Sequence, residues 1–180
     1  MAEFFPLEPV IATFARYGLR RASMTDLAQA LGVSRQSLYN HFGSKDALAR
    51  WAGQALIDRS LDEALRALEQ PARTLPDRLA DALDAWVGQH RDALHASPHG
   101  VEIVAVMQPH PPEAVRIAER RLVAAMTEAI RLSGPGSAVP RAGSMAQALC
   151  STARGLVHAV PDHKSFRRQL DHIAGALVAR

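Results

Sequence analysis

The chain has 180 residues, room for a small head fused to a larger body, and 48% of them are apolar, enough to bury a core. Charged residues make up 22% and aromatics only 5%, so the interior must be mostly Leu, Ala and Val, a mixture that favours helix. The net charge of +3 accommodates an anionic partner without requiring one, and the single Cys150 excludes an intrachain disulfide and fits a reducing cytoplasm. No run of about 18 apolar residues exists to cross a membrane, and Met1 to Pro6 lacks the pattern of a signal peptide.

Helical periodicity runs through the chain. Val10, Phe14 and Tyr17 recur at helical spacing, and Gly18 is a natural stop. A second helix is expected from Ser23 to Leu31 and a third from Ser34 to Phe42. A long fourth opens at Ser44 and carries Leu48, Trp51, Ala55, Leu61, Leu65 and Leu68 until Pro71. Residues 71–76 read as a turn. The next helix places Leu79, Leu83, Trp86, Val87, His90 and Leu94 on one face and ends near Pro98. Gly100 to Met107 could be a strand, but without a second strand to pair with it reads as a short buried helix. A helix from Glu113 turns Val115, Ala118, Leu122, Ala125, Met126 and Ala129 inward, and residues 133–144 form a loop. Two helices close the chain, one with Met145, Leu149, Leu156 and Val160, the other with Phe166, Leu170, Ile173 and Leu177. The expectation is an all-α protein of about nine helices, with a head over residues 1–50 and a body over residues 51–180.

The informative stretch is Ser23 to Leu48. Ser23 can cap a helix, with Asp26 favourable at its positive end. Leu27 and Leu31 face inward, and Ala28 is small where two helices cross. Gly32 stands where a left-handed backbone costs any residue with a Cβ about 1 kcal/mol or more. Val33 fills the gap, Ser34 caps the next helix and Leu38 anchors it. This is the pattern of a helix-turn-helix. Its second helix opens with Ser34, Arg35, Gln36 and Ser37, in the turn that meets base edges. Arginine pairs with guanine and glutamine with adenine in bidentate fashion, each worth about 1–3 kcal/mol of discrimination.

The stretch MTDLAQALGVSRQSLYNHFGSKDAL resembles the DNA-binding head of the tetracycline-repressor (TetR) family, and TFARYGLRRAS before it resembles that family's first helix. The resemblance covers about the first quarter of the chain; beyond it only helix count and order agree. It implies a phosphate contact for Thr25, base contacts for Arg35, Gln36 and Ser37, and backbone contacts for Tyr39 and His41. Lys45 would hold a phosphate at the start of the fourth helix. Asn40 stands where the family often has an aromatic, leaving base, phosphate or solvent open to it. Arg20 and Arg21 are either nearby phosphate contacts or solvated charges.

A head of this size reads few base pairs, so a two-fold dimer with heads about 34 Å apart on a pseudo-palindrome is expected. The last two helices, through Leu149, Leu156, Phe166, Leu170, Ile173 and Leu177, are the candidate seam of a homodimer or else intrachain core. The resemblance implies a small-molecule pocket in the body. Trp86, His90, Ile103, Met107, Met126 and His158 are its candidate lining, with ordinary core as the other reading. Arg154 and His158, four apart, could meet an anionic group, though a solvated or interface stripe is the commoner arrangement.

No Gly-x-Ser-x-Gly, phosphate-binding loop or His-Glu-x-x-His motif is present, so no enzyme, cofactor or metal is expected. The expected function is a cytoplasmic regulator of transcription, a repressor by default, that binds duplex DNA and is released by a small-molecule inducer. A ligand-independent DNA-binding protein of the same fold, architectural or division-linked, is the alternative.

Overall fold

The computed structural model describes residues 5–88, 97, 99, 113–133 and 141–178. Among these residues there are eight α-helices and no strand, as the all-α expectation required. The helices are α1 (Leu7–Arg21), α2 (Met24–Leu31), α3 (Arg35–Phe42), α4 (Lys45–Leu68), α5 (Leu75–Leu83), α6 (Glu113–Ser133), α7 (Ala142–Ala159) and α8 (His163–Val178). The segment from Gly100 to Met107 lies outside the described residues. The chain forms two compact units, Met1–Ile57 with Ala93–Pro112, and Asp58–Asp92 with Glu113–Arg180. The division falls inside α4, after Ile57, where the sequence places it near residue 50.

In the first unit Phe5, Val10, Phe14, Ala22, Met24, Leu27, Leu38, Leu48 and Ala52 form one apolar core, with Leu31, Val33, Phe42 and Trp51 packed against it. Tyr17 turns outward, with the Arg16 guanidinium 5.1 Å from its ring centre. The stop at Gly18 is real: its φ of 79° and ψ of 153° break the helical path inside α1, and its carbonyl accepts from the Ala22 N–H. Gly32 closes α2 in the left-handed conformation, φ 68° and ψ 24°.

In the second unit α6 packs on α7, α5 on α8, and α7 on α8. The inner face of α7 is mostly small: Ala142, Ala146 and Ala153 are buried beside Leu149 and Cys150, so neighbouring backbones can approach closely. That face begins at Ala142, inside the stretch expected as loop, and leaves Met145 and Leu156 half-buried. Arg78 ties two helix ends together, donating to the Leu68 carbonyl at 3.0 Å and to Ser133 Oγ at 3.2 Å.

The helix after Pro76 departs from its expected phase. α5 ends at Leu83, and Asp84–Gly88 form a π-helical turn. A π turn rotates the residues beyond it relative to the α-helical stripe. Leu79 and Leu83 are buried, whereas Trp86 and Val87 are half-buried and Gly88 faces the interior. An ion network fastens this turn to α8. Arg167 meets Asp81 at 2.6 Å, Asp84 at 3.8 Å and Asp171 at 2.9 Å, and His163 Nε2 lies 2.6 Å from Asp84. The carboxylates, Asp81 and Asp171 foremost, hold the Arg167 pKa above its usual value against partial burial.

This packing has two measurable consequences. A Cβ at Gly88 would collide with the Asp84 carboxylate and stand 2.5 Å from Cε1 of the fully buried Phe166. Gly88→Ala is expected to cost about 2 kcal/mol and lower the melting temperature by about 4–8 °C in calorimetry. An unchanged melting temperature would contradict the close approach. Burial, reinforced by the Glu119 carboxylate, pushes the Cys150 thiol up to about 12. Stability from keeping it protonated is therefore present below the ordinary thiol value and is lost as pH climbs towards the folded one. At pH 8 a thiol-disulfide reagent should leave the native protein unlabelled and modify one thiol in denaturant; rapid native labelling would refute the burial.

Candidate nucleic-acid interface

The helix-turn-helix is built from reciprocal caps. Ser23 Oγ accepts from the Asp26 N–H at 3.2 Å, and the Asp26 carboxylate accepts from the Ser23 N–H at 2.9 Å and its hydroxyl at 2.6 Å. Those bonds, the hydroxyl's first, hold the Asp26 carboxyl below its usual pKa. After Gly32, Ser34 Oγ accepts from the Ser37 N–H at 3.0 Å and starts α3. Ser44 starts α4 in the same way, accepting from the Ala47 N–H at 3.1 Å.

Leu38 is the buried residue of α3, at 0% exposure. Gln36 and Asn40, on the side opposite Leu38, are exposed, as are Ser34, Arg35, Tyr39 and His41, and Ser37 is half-buried. Thr25 is exposed in the first turn of α2, at the positive end of the helix dipole.

The exposed side chains of α3 are held by one another. The Arg35 guanidinium lies 5.3 Å from the Tyr39 ring centre. Gln36 Nε2 donates to Asn40 Oδ1 at 2.8 Å. His41 packs edge-on against Phe5 at 4.9 Å and Phe42 at 4.6 Å between ring centres, so its position is set by the core beneath it. Lys45 is half-buried, and its Nζ donates to the Arg20 carbonyl at 2.9 Å, fastening the start of α4 to the end of α1. An ammonium has three donors, so this bond leaves two for other acceptors. Together α3 and the start of α4 offer guanidinium, amide, phenol and ammonium groups, a donor set suited to base edges and phosphates.

The Lys45 bond and the two side-chain pairs on α3 are additions to the sequence expectation. Spacing alone could have suggested the pairs, since residues four apart on a helix are neighbours. The bond from Lys45 to Arg20 joins residues far apart in sequence and leaves no local signal.

The body residues do not converge in this way. Met126 is fully buried on α6, Trp86 is half-buried in the π turn and His158 is exposed on α7. His90, Ile103 and Met107 lie outside the described residues. Arg154, four residues from His158 on α7, meets the mostly buried Glu119 at 3.2 Å. A concave surface along α8 is lined by Arg168, Gln169, Asp171, His172 and Ile173. Of the candidate seam residues, Leu149, Phe166 and Leu170 are enclosed by the protomer's own helices at 0% exposure; Leu156 and Ile173 are half-buried and Leu177 is exposed. Among the described residues no group of three or more His, Cys, Asp or Glu is placed to hold a metal ion, and no helix is long and apolar enough to cross a membrane.

Residues 11–51 match the family model of bacterial regulatory proteins, tetR family. Over 116 residues, 64% of this chain and 59% of the relative, the sequence is 31% identical to the uncharacterized HTH-type transcriptional regulator YezE of Bacillus subtilis. Over 114 residues, 63% of this chain and 52% of the relative, it is 31% identical to the HTH-type transcriptional repressor KstR2 of Mycobacterium tuberculosis. The chain thus spans between half and three fifths of the length of these relatives. Its fold is that of a TetR-like transcriptional regulator from Rhodococcus sp. RHA1, with a TM-score of 0.61 across 97% of this chain and 94% of that one, at 22% identity. The head, residues 11–51, is thus similar to the DNA-binding domain of the tetR family of bacterial regulatory proteins, and the fold of the chain is that of TetR-like regulators.

Proposed function

We propose that the protein is a ligand-responsive repressor that binds a pseudo-palindromic operator as a homodimer and leaves it when a small molecule occupies the body. The observation that carries the DNA-reading part is the contrast on α3 between buried Leu38 and exposed Arg35 and Gln36 in the turn capped by Ser34. Arg35, Gln36 and Ser37 read base edges, and Asn40 stands beside them on the DNA-binding face. Thr25, Ser34, Tyr39, His41 and Lys45 hold sugar and phosphate and fix the register. Repression is supported by the 31% identity to a relative named as a repressor.

Two copies meet through the outer faces of α7 and α8, where Leu156, Ile173 and Leu177 retain surface to give and Ala148, Gly155 and Ala176 let backbones come close. Leu149, Phe166 and Leu170 support that seam from beneath, as core. The inducer is held in the body by residues among Trp86, Met126 and His158. An inducer that prefers the DNA-incompetent arrangement must weaken operator binding by the factor by which the operator weakens inducer binding, typically about 1–3 kcal/mol. The continuous helix α4 is the route by which body and head feel each other.

Selection of duplexes from a random pool tests this function. The expected result is a two-fold symmetric consensus with half-sites about 34 Å, one helical turn, apart; no enrichment would remove it. On that consensus Arg35→Ala should relax preference at one base pair per half-site by about tenfold. Lys45→Ala should weaken all sequences alike and reduce the slope of log affinity against log salt by about 1 per protomer. An unchanged slope in a variant of native melting temperature would exclude the phosphate role of Lys45.

A further inference from the structure

Gln36 and Asn40 sit one turn apart on the exposed face of α3, and their amides are joined, Gln36 Nε2 donating to Asn40 Oδ1 at 2.8 Å. A primary amide has two N–H donors and one carbonyl acceptor. The bond to Asn40 uses one donor of Gln36 and leaves one N–H and the Oε1 oxygen, side by side on the same planar group. Adenine shows the complementary pair in the major groove, the N7 acceptor and the N6 donor. Guanine shows two acceptors, N7 and O6.

An unattached glutamine can turn its amide over and set an N–H, rather than Oε1, against a guanine acceptor, whereas a held one cannot turn over without setting Oε1 against the neighbouring carbonyl. One whose NH2 group is already held by a neighbouring carbonyl has a single donor left. It satisfies adenine completely and leaves one guanine acceptor facing the Oε1 oxygen without a hydrogen between them. We propose that Asn40 is a specificity-determining residue acting through Gln36: its side-chain oxygen holds one Gln36 N–H and so restricts Gln36 to adenine. This rests on the DNA-reading function proposed above.

Asn40 is thereby a positioning residue with no obligatory base contact of its own. In water an exposed amide pair of this kind is weakly held, because solvent competes for both groups. In a groove from which water has been displaced the same bond is stronger, and an amide placed wrongly would strand a buried donor or acceptor. The selectivity therefore emerges in the complex, where it is needed.

The test is selection from a random duplex pool, then affinity measurement on the wild-type consensus and on its guanine variants, for the full chain and three variants. Gln36→Ala identifies the base pair that Gln36 reads. Asn40→Leu removes the acceptor and should lower the adenine-over-guanine preference at that same base pair by about tenfold, leaving other positions unchanged. Asn40→Asp keeps an acceptor oxygen at the same place; it should retain the preference while weakening all sequences alike through the added negative charge. Both positions are exposed, and circular dichroism with thermal melting confirms that each variant folds. Full adenine preference in Asn40→Leu overturns the proposal, as does its loss in Asn40→Asp, or a consensus indifferent to Gln36→Ala. A wild-type chain that enriches no sequence fails for a different reason: the DNA-reading function itself falls, and the paired-amide inference with it.

Discussion

The orientation of the reading helix depends first on one buried side chain. Leu38 enters the head core at 0% exposure, and that insertion fixes the rotation of α3 about its own axis. With eight residues, α3 is too short to be stable alone. Its orientation comes from Leu38 below, from the Ser34 cap at its start and from the packing of Phe42 at its end. A leucine so enclosed contributes about 2–5 kcal/mol relative to alanine, more than any one exposed pair on the helix. The outward face is therefore a consequence of the inward one: once Leu38 is seated, the 3.6-residue period sends residues 36 and 40 to the opposite side and 39 to the flank, while Arg35 is exposed as the first residue of the helix.

Much of the head was legible in the sequence because its determinants are local. Caps at Ser23, Ser34 and Ser44, a left-handed turn at Gly32 and inward residues at Leu27 and Leu38 act within a few positions of themselves. The body was legible only in helix count and order. Its inner faces rest on alanines at 142, 146 and 153, which carry little hydropathy contrast, so the eye falls on Met145 and Leu156, both half-buried. On α8 the periodicity marks the right stripe, but Phe166 and Leu170 pack within the protomer, while Leu177 at its end keeps 37% of its surface. Periodicity says that a face is apolar; it cannot say whose helices cover it.

The π turn at Asp84–Gly88 shows a second limit. Its cause is tertiary: Asp84 is engaged by His163 and Arg167 from α8, and Gly88 lies where any Cβ would strike Phe166. Extending one α-helical phase from Leu79 through Leu94 passes over the five residues where that phase shifts. Trp86 consequently sits at an intermediate position, neither sealed in the core nor free in solvent. An aromatic so placed, on a turn held by charges from another helix, can change neighbours at less cost than a core residue, since fewer of its contacts must be remade.

The placement of bonds along α4 matters for the same reason. At its first residue Lys45 is tied to the Arg20 carbonyl within the head, and at its last the Leu68 carbonyl accepts from Arg78 within the body. A helix pinned at both ends, each within its own unit, resists unwinding better than it resists being carried bodily with whichever unit moves. A sharp kink would break backbone hydrogen bonds, and α4 has no proline to place one. Rigid displacement breaks none of them and leaves both terminal bonds intact. Any signal passing from the proposed inducer site to α3 is thus best transmitted as a displacement of α4 that carries Arg20, and with it the end of α1, along with Lys45.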